Sequence, residues 1–174
     1  MFIELEQDYI RYSKKSGNFA HYFYTMFSNH GFRAIVFYRL GRCFFKGRRY
    51  HLSRLMEMFI YHTCYCDISC AAEIGPGLRI AHPVGLVIGE GTHIGSHCDV
   101  RQNVTFGGSF NKQDESGRTQ PWLENNISVG AGAVIIGPVK IGSNSIIGAN
   151  SVVISDVPNN VIVAGSPARV IKER

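Results

Sequence analysis

The sequence predicts an all-β fold, a parallel β-helix, preceded by a small N-terminal α-helical region. Three observations carry this prediction. Apolar residues recur at every sixth position from Ile68 onward, glycine follows many of them, and small or branched residues recur four positions later. The apolar series runs Ile68, Ile74, Ile80, then Ile88, Ile94, Val100, Phe106, then Val129, Ile135, Ile141, Ile147, Val153. Pairs such as Ile74-Gly75, Ile94-Gly95 and Ile141-Gly142 put a residue without a Cβ where the chain turns a corner. The small series is Ala72, Thr92, Cys98, Val104, Ala133, Val139, Ser145 and Ser151. Such a period marks one short strand plus a turn per unit, with three units per triangular coil and the aliphatic side chain inside. A sandwich of short strands has irregular loops and no fixed six-residue phase.

Residues 1–66 lack this period. Phe32, Ile35, Val36, Leu40 and Phe44 recur at helical spacing, as do the apolar residues of LSRLMEMFIYH. The expected organisation is a helical region over 1–66 and a β-helix domain over 67–174, with a loop extruded at about 107–122 and a C-terminal tail.

The chain has 174 residues, of which 45% are hydrophobic, enough for a sizeable core. Its net charge of +5 favours anionic partners such as phosphorylated cofactors, nucleic acid or membrane headgroups, without choosing among them. The opening MFIELEQDYI has acids where an export signal needs a basic region, so a cytoplasmic protein is expected. Five cysteines (Cys43, Cys64, Cys66, Cys70, Cys98) form an odd set, which reads as reduced thiols. Arg39, Arg42, Lys46, Arg48, Arg49 and Arg54 form a basic cluster. It reads as a solvated helix face in preference to a peripheral membrane contact, and nothing points to nucleic acid.

Breaks in the repeat mark candidate sites. Ile88 follows Ile80 by eight residues instead of six, so two extra residues bulge out beside His82-Pro83. Leu123 follows Phe106 by seventeen, and the polar GGSFNKQDESGRTQPW between them reads as an extruded loop. Asp67 precedes His82 by fifteen residues, close to one coil, which sets carboxylate and imidazole on neighbouring coils. Asp and His paired in this way make a general base for a hydroxyl at neutral pH, although a histidine capping a turn would show the same spacing. His93 and His97 resemble β-helical zinc sites only weakly, since their spacing differs.

The stretch CDISCAAEIGPGLRIAHPVGLVIGEGTHIGSHCDVRQNVTFGG resembles the heart of the serine acetyltransferases. HGFRAIVFYRLGR and the closing GANSVVISDVPNNVIVAGSPARVI are similar to that family as well. The resemblance covers about residues 30–172 and implies a left-handed β-helix, an acetyl-CoA-dependent O-acetyltransferase, no metal, and a homotrimer with cofactor clefts between subunits. It also implies roles: His82 as catalytic base, Asp67 as its partner, Gly108 beside the acetyl-bearing thiol, and Gly130, Ala131 and Ala149 along coenzyme A. Arg169 and Lys172 suit the cofactor phosphates.

Departures from the family's pattern concern the acceptor. The family's Arg-His-Pro is here Thr119-Gln120-Pro121, preceded by Arg118, and the aspartate before the family's histidine is Ala81. Ser69 and Cys70 replace the His-Pro of its Asp-Ile-His-Pro, and SKKSGNF has no match to its serine-contacting Asp-Pro pair. Arg118 and Gln120 are the candidate substrate residues. With the amino-acid side eroded, the expected acceptor is a saccharide of a surface-polysaccharide pathway, with L-serine as the alternative. A noncatalytic β-helical scaffold would need neither the bulge nor the loop.

Overall fold

The computed structural model describes residues 2–13, 19–109 and 112–174. Four helices come first: α1 (Phe2–Ser13), α2 (Phe19–Ser28), α3 (His30–Lys46) and α4 (Tyr50–Cys64). Asn29 starts α3, its side-chain oxygen accepting from the Phe32 amide at 3.0 Å. Tyr65, at a left-handed φ of 57°, ends α4.

Short strands then follow in triplets. The first coil holds β1 (Asp67–Ile68), β2 (Glu73–Ile74) and β3 (Arg79–Ile80), and the second β4 (Val87–Ile88), β5 (His93–Ile94) and β6 (Asp99–Val100). The third holds β7 (Thr105–Gly107), β8 (Trp122–Leu123) and β9 (Ser128–Val129), and the fourth β10 (Val134–Ile136), β11 (Lys140–Ile141) and β12 (Ile146–Ile147). Finally come β13 (Val152–Val153), β14 (Val161–Gly165) and β15 (Ala168–Glu173), the last turning back antiparallel on β14.

Every third strand pairs in parallel, which makes three faces: β1-β4-β7-β10-β13, β2-β5-β8-β11, and β3-β6-β9-β12-β14 with β15. This is the predicted parallel β-helix. Each residue of the six-residue apolar series is buried, and so is each of the small residues four positions on. The series stacks as continuous columns inside the prism, where a buried aliphatic side chain contributes roughly 1.5–3 kcal/mol.

A β-helix leaves its first coil with unpaired backbone groups, and here side chains of the helical region satisfy them. Asp8 Oδ1 accepts from the amides of Gly77 and Leu78, and the Ile80 amide donates to the Tyr12 hydroxyl. The Ile74 amide donates to the Tyr38 hydroxyl, which donates in turn to the Ala72 carbonyl. The Arg39 guanidinium reaches the Ile74 and Gly75 carbonyls, and Glu57 takes the Cys70 amide at 2.7 Å. Two glycines let α3 lie this close: a Cβ on Gly31 would come 2.0 Å from the Ile80 carbonyl oxygen, and one on Gly41 2.2 Å from Cys70 Sγ.

The basic cluster is therefore not a single solvated face. Arg39 is buried against Asp8, Arg42 pairs with Glu73 and Arg54 with Glu57, while Lys46, Arg48 and Arg49 stay exposed. No described helix is long and apolar enough to cross a membrane. All five cysteines are free, and burial pushes the Cys66 thiol up to about 12.

Candidate active site

Coils turn from the third face to the first through one repeated corner. Gly85, Asn103, Gly132 and Asn150 all sit there at positive φ. The Asn103 amide donates to the Val84 carbonyl, that of Gly132 to Gln102, and that of Asn150 to Ala131. Val84, Gln102 and Ala131 are thus equivalent, and the pairings Ile80↔Val100 and Val100↔Val129 make Ala81, Arg101 and Gly130 equivalent. His82 and Pro83, between Ala81 and Val84, have no counterpart on the next coil. They are the two extra residues of the phase break.

The bulge leaves His82 exposed at the corner. Asp67 lies one coil below: its amide donates to the Leu86 carbonyl at 2.8 Å, and the Gly85 amide donates to Tyr65 at 2.8 Å. Asp67 is also exposed, and among the described residues it shares no hydrogen bond or ion pair with His82. Catalytic hydrogen bonds commonly close only around bound substrate.

Above His82, a groove of about 280 Å³ runs up the third face, lined by Ala81, Arg101, Gly130 and Ala149 among others. Gly130 is small for an internal reason too, since a Cβ there would come 2.5 Å from the Ala149 amide. Ala131 and the exposed Ala149 keep the corner low beside it. Lys172 crowns the same face: register carries the column from Arg79 through Asp99, Ser128, Ile146 and Ile162 to Lys172. That is five strand spacings, roughly 24 Å. Arg169 lies in the same top strand, exposed, its guanidinium donating to the Ala168 carbonyl.

The loop residues stand elsewhere. Gly108, Arg118 and Gln120 belong to the corner from the first face to the second, across the first face from His82. One chain therefore sets His82, Asp67, Gly130, Ala131 and Ala149 along one edge of the prism, and Gly108, Arg118 and Gln120 along another. Gln120 packs on Gly89, Gly91 and Gly108, and its Oε1 is buried without a partner. Arg118 is committed to Asp114, with Nε 2.5 Å from Oδ2, and lies over the Trp122 ring at 5.3 Å. Hydrogen bonds from Ser116 and Arg118 hold the Asp114 carboxyl well below the usual carboxylate range.

Trp122, the last residue of the loop read from sequence, lies in β8 with one face taken. The His93 ring stacks on it at 3.6 Å and 6°. Burial pushes the His93 pKa down while Glu73, with Oε2 3.7 Å from Nδ1, opposes that shift. His97 turns a corner at a φ of 58°, and among the described residues no group of three His, Cys, Asp or Glu gathers to hold a metal.

Arg101 and Gln102 were not singled out by sequence. Their signal is phase: Arg101 stands where Ala81 stands one coil below, directly before the histidine bulge.

The bacterial transferase hexapeptide (six repeats) profile matches residues 121–155. A serine acetyltransferase of Synechococcus elongatus is 41% identical over 81% of this chain, and the chain spans 57% of that protein's length. One from Helicobacter pylori is 38% identical, covering 81% of each. Among solved structures, a Neisseria gonorrhoeae serine acetyltransferase in complex with serine superposes with a TM-score of 0.86 at 30% identity, covering 98% of this chain and 69% of that one. A Brucella abortus serine acetyltransferase in complex with coenzyme A gives 0.83 at 32%, covering 99% and 66%. These likenesses are consistent with left-handed coiling. They overturn the expectation of a saccharide acceptor, which rested on Gln120 in place of the family's histidine and on the missing aspartate of its Asp-Pro pair. Motif positions alone do not list the charges near His82: Arg101, one coil above Ala81, is a cation that the motif does not contain.

Proposed function

The chain belongs to the serine acetyltransferase family of hexapeptide-repeat transferases, and from that premise we propose that it transfers the acetyl group of acetyl-CoA to the hydroxyl of L-serine, as in cysteine biosynthesis. One observation carries this reading: the two-residue bulge sets an exposed imidazole above Asp67 and at the foot of the low corner of Gly130, Ala131 and Ala149.

His82 takes the proton of the serine hydroxyl as its oxygen attacks the thioester carbonyl, and Asp67 steadies the imidazolium. The C–S bond then breaks, and the proton passes from His82 to the departing sulfur. Acetyl-CoA supplies the activated acyl group. Ala131 and Ala149 leave room for its arm, and Arg169 and Lys172, far up the same face, receive phosphates.

Gly108, Arg118 and Gln120 lie across the first face from His82, and a homotrimer answers that separation. A threefold assembly sets the loop corner of one chain against the histidine corner of the next. Gly108 amide hydrogen bonding to the oxyanion would then come from a neighbour.

The test is incubation with acetyl-CoA and L-serine, following thiol release and O-acetylserine by mass. Serine-dependent release is expected. A folded protein that releases no thiol with serine overturns the proposal.

A further inference from the structure

Two arginines, Arg79 and Arg101, line the groove beside His82 together with one carboxylate, Asp99. Asp99 takes both Arg11, at 2.5 Å, and Arg79. Arg101 is exposed, lines the groove, and has no hydrogen bond or ion pair among the described residues. A guanidinium held on a rigid corner without a partner is a ready fork for a carboxylate or phosphate.

Its neighbour adds a second unmet group. Gln102 Oε1 is buried and accepts no hydrogen bond, a state that costs free energy unless a ligand donor fills it. Both residues sit one coil above the Ala81-to-Val84 segment that carries His82, a strand spacing of roughly 4.8 Å. Ala81, below Arg101, contributes only a methyl group, which leaves the space before the guanidinium open.

Resting on the serine acetyltransferase reading, we infer that Arg101 anchors the acceptor's carboxylate and Gln102 Oε1 receives its ammonium group. The acceptor is thereby recognised as a zwitterionic α-amino acid with its hydroxyl turned toward His82. Cofactor phosphates do not explain the pair. The pantetheine arm separates them from the thioester by several coil spacings, which places them near Lys172 and not beside the base.

The experiment compares R101A, R101K and Q102L with the wild type on L-serine, L-serine methyl ester and acetyl-CoA. R101A should raise the KM for serine by roughly 10- to 100-fold, the range for losing a charge-assisted pair. The KM for acetyl-CoA and the turnover of the methyl ester should stay unchanged. R101K should recover only part of the loss, because it keeps the charge without the fork. Q102L should raise the KM for serine and for the ester alike, since both carry the ammonium group. An unchanged serine KM in R101A overturns the inference. So does a rise in the acetyl-CoA KM instead, or an equal loss on serine and its ester. A wild type inactive on serine overturns the parent reading and this one with it, whereas an active wild type with an indifferent R101A sinks this one alone. Matching melting temperatures certify that each variant is folded.

Discussion

Asp8 and Arg39 form a buried ion pair, with Nε 2.8 Å from Oδ2 and Nη2 3.1 Å from Oδ1. The same two groups hold four backbone atoms of the first coil, so α1, α3 and the β-helix meet at one carboxylate and one guanidinium. Removing one partner of such a pair strands the other charge in the interior. Asp8→Ala should therefore lower stability by about 3–5 kcal/mol. Urea unfolding is the measurement, and a midpoint unchanged from wild type would show the pair to be dispensable.

His82→Ala should lower kcat by about 10²-fold or more with little change in coenzyme A affinity, because a general base commonly contributes 10²–10⁴. Asp67→Asn should cost less, since its carboxylate acts through the imidazole. Steady-state rates with L-serine decide it; a rate that survives the loss of His82 moves the base elsewhere.

Coenzyme A should raise the melting temperature of the wild type in a concentration-dependent way, by mass action on the folded state. Ala131→Trp should abolish that rise by filling the corner beside the groove, while leaving the unliganded melting temperature near wild type. A thermal shift persisting in the variant would take the cofactor off this corner.

The His93 site predicts a pH dependence. Burial lowers its folded-state pKa below the ordinary value near 6.5, so the unfolded chain binds the proton more readily. Stability from this site is then complete above about pH 6.5 and is lost as pH falls from there through the folded value. His93→Phe keeps the stack on Trp122 without titrating. Between pH 7.5 and 5.5 the variant should lose less stability than wild type by denaturant midpoint, and equal losses would exclude the site.

The coils were legible because one period of six fixes both strand and inward face, and a departure from it can be located to the residue. That is why the His82-Pro83 bulge could be named from Ile80 and Ile88 alone. The Asp8–Arg39 pair was not legible, since it joins two helices whose packing no period encodes. The seventeen-residue gap hides where the phase resumes, so the loop read from sequence runs through Trp122, whose partner His93 lies one coil away on the second face. The motif names Arg118 and Gln120 beside His82, and within one chain the topology sets them at another corner. Residues 14–18, within the SKKSGNF segment that lacks the Asp-Pro pair, lie outside the described residues.

The side chains that satisfy the first coil have a meaning for assembly as well as for stability. A stack of parallel coils is a strand template at both ends, open to end-on addition of another copy and so to fibre growth. Here Asp8, Tyr12, Tyr38, Arg39 and Glu57 occupy the hydrogen-bonding positions that an incoming coil would need. At the other end β15 reverses direction and carries Arg169, Lys172 and Glu173 exposed, a charged antiparallel rim that a parallel coil cannot continue. Among the described residues, neither end of the stack therefore offers a free template to another parallel coil.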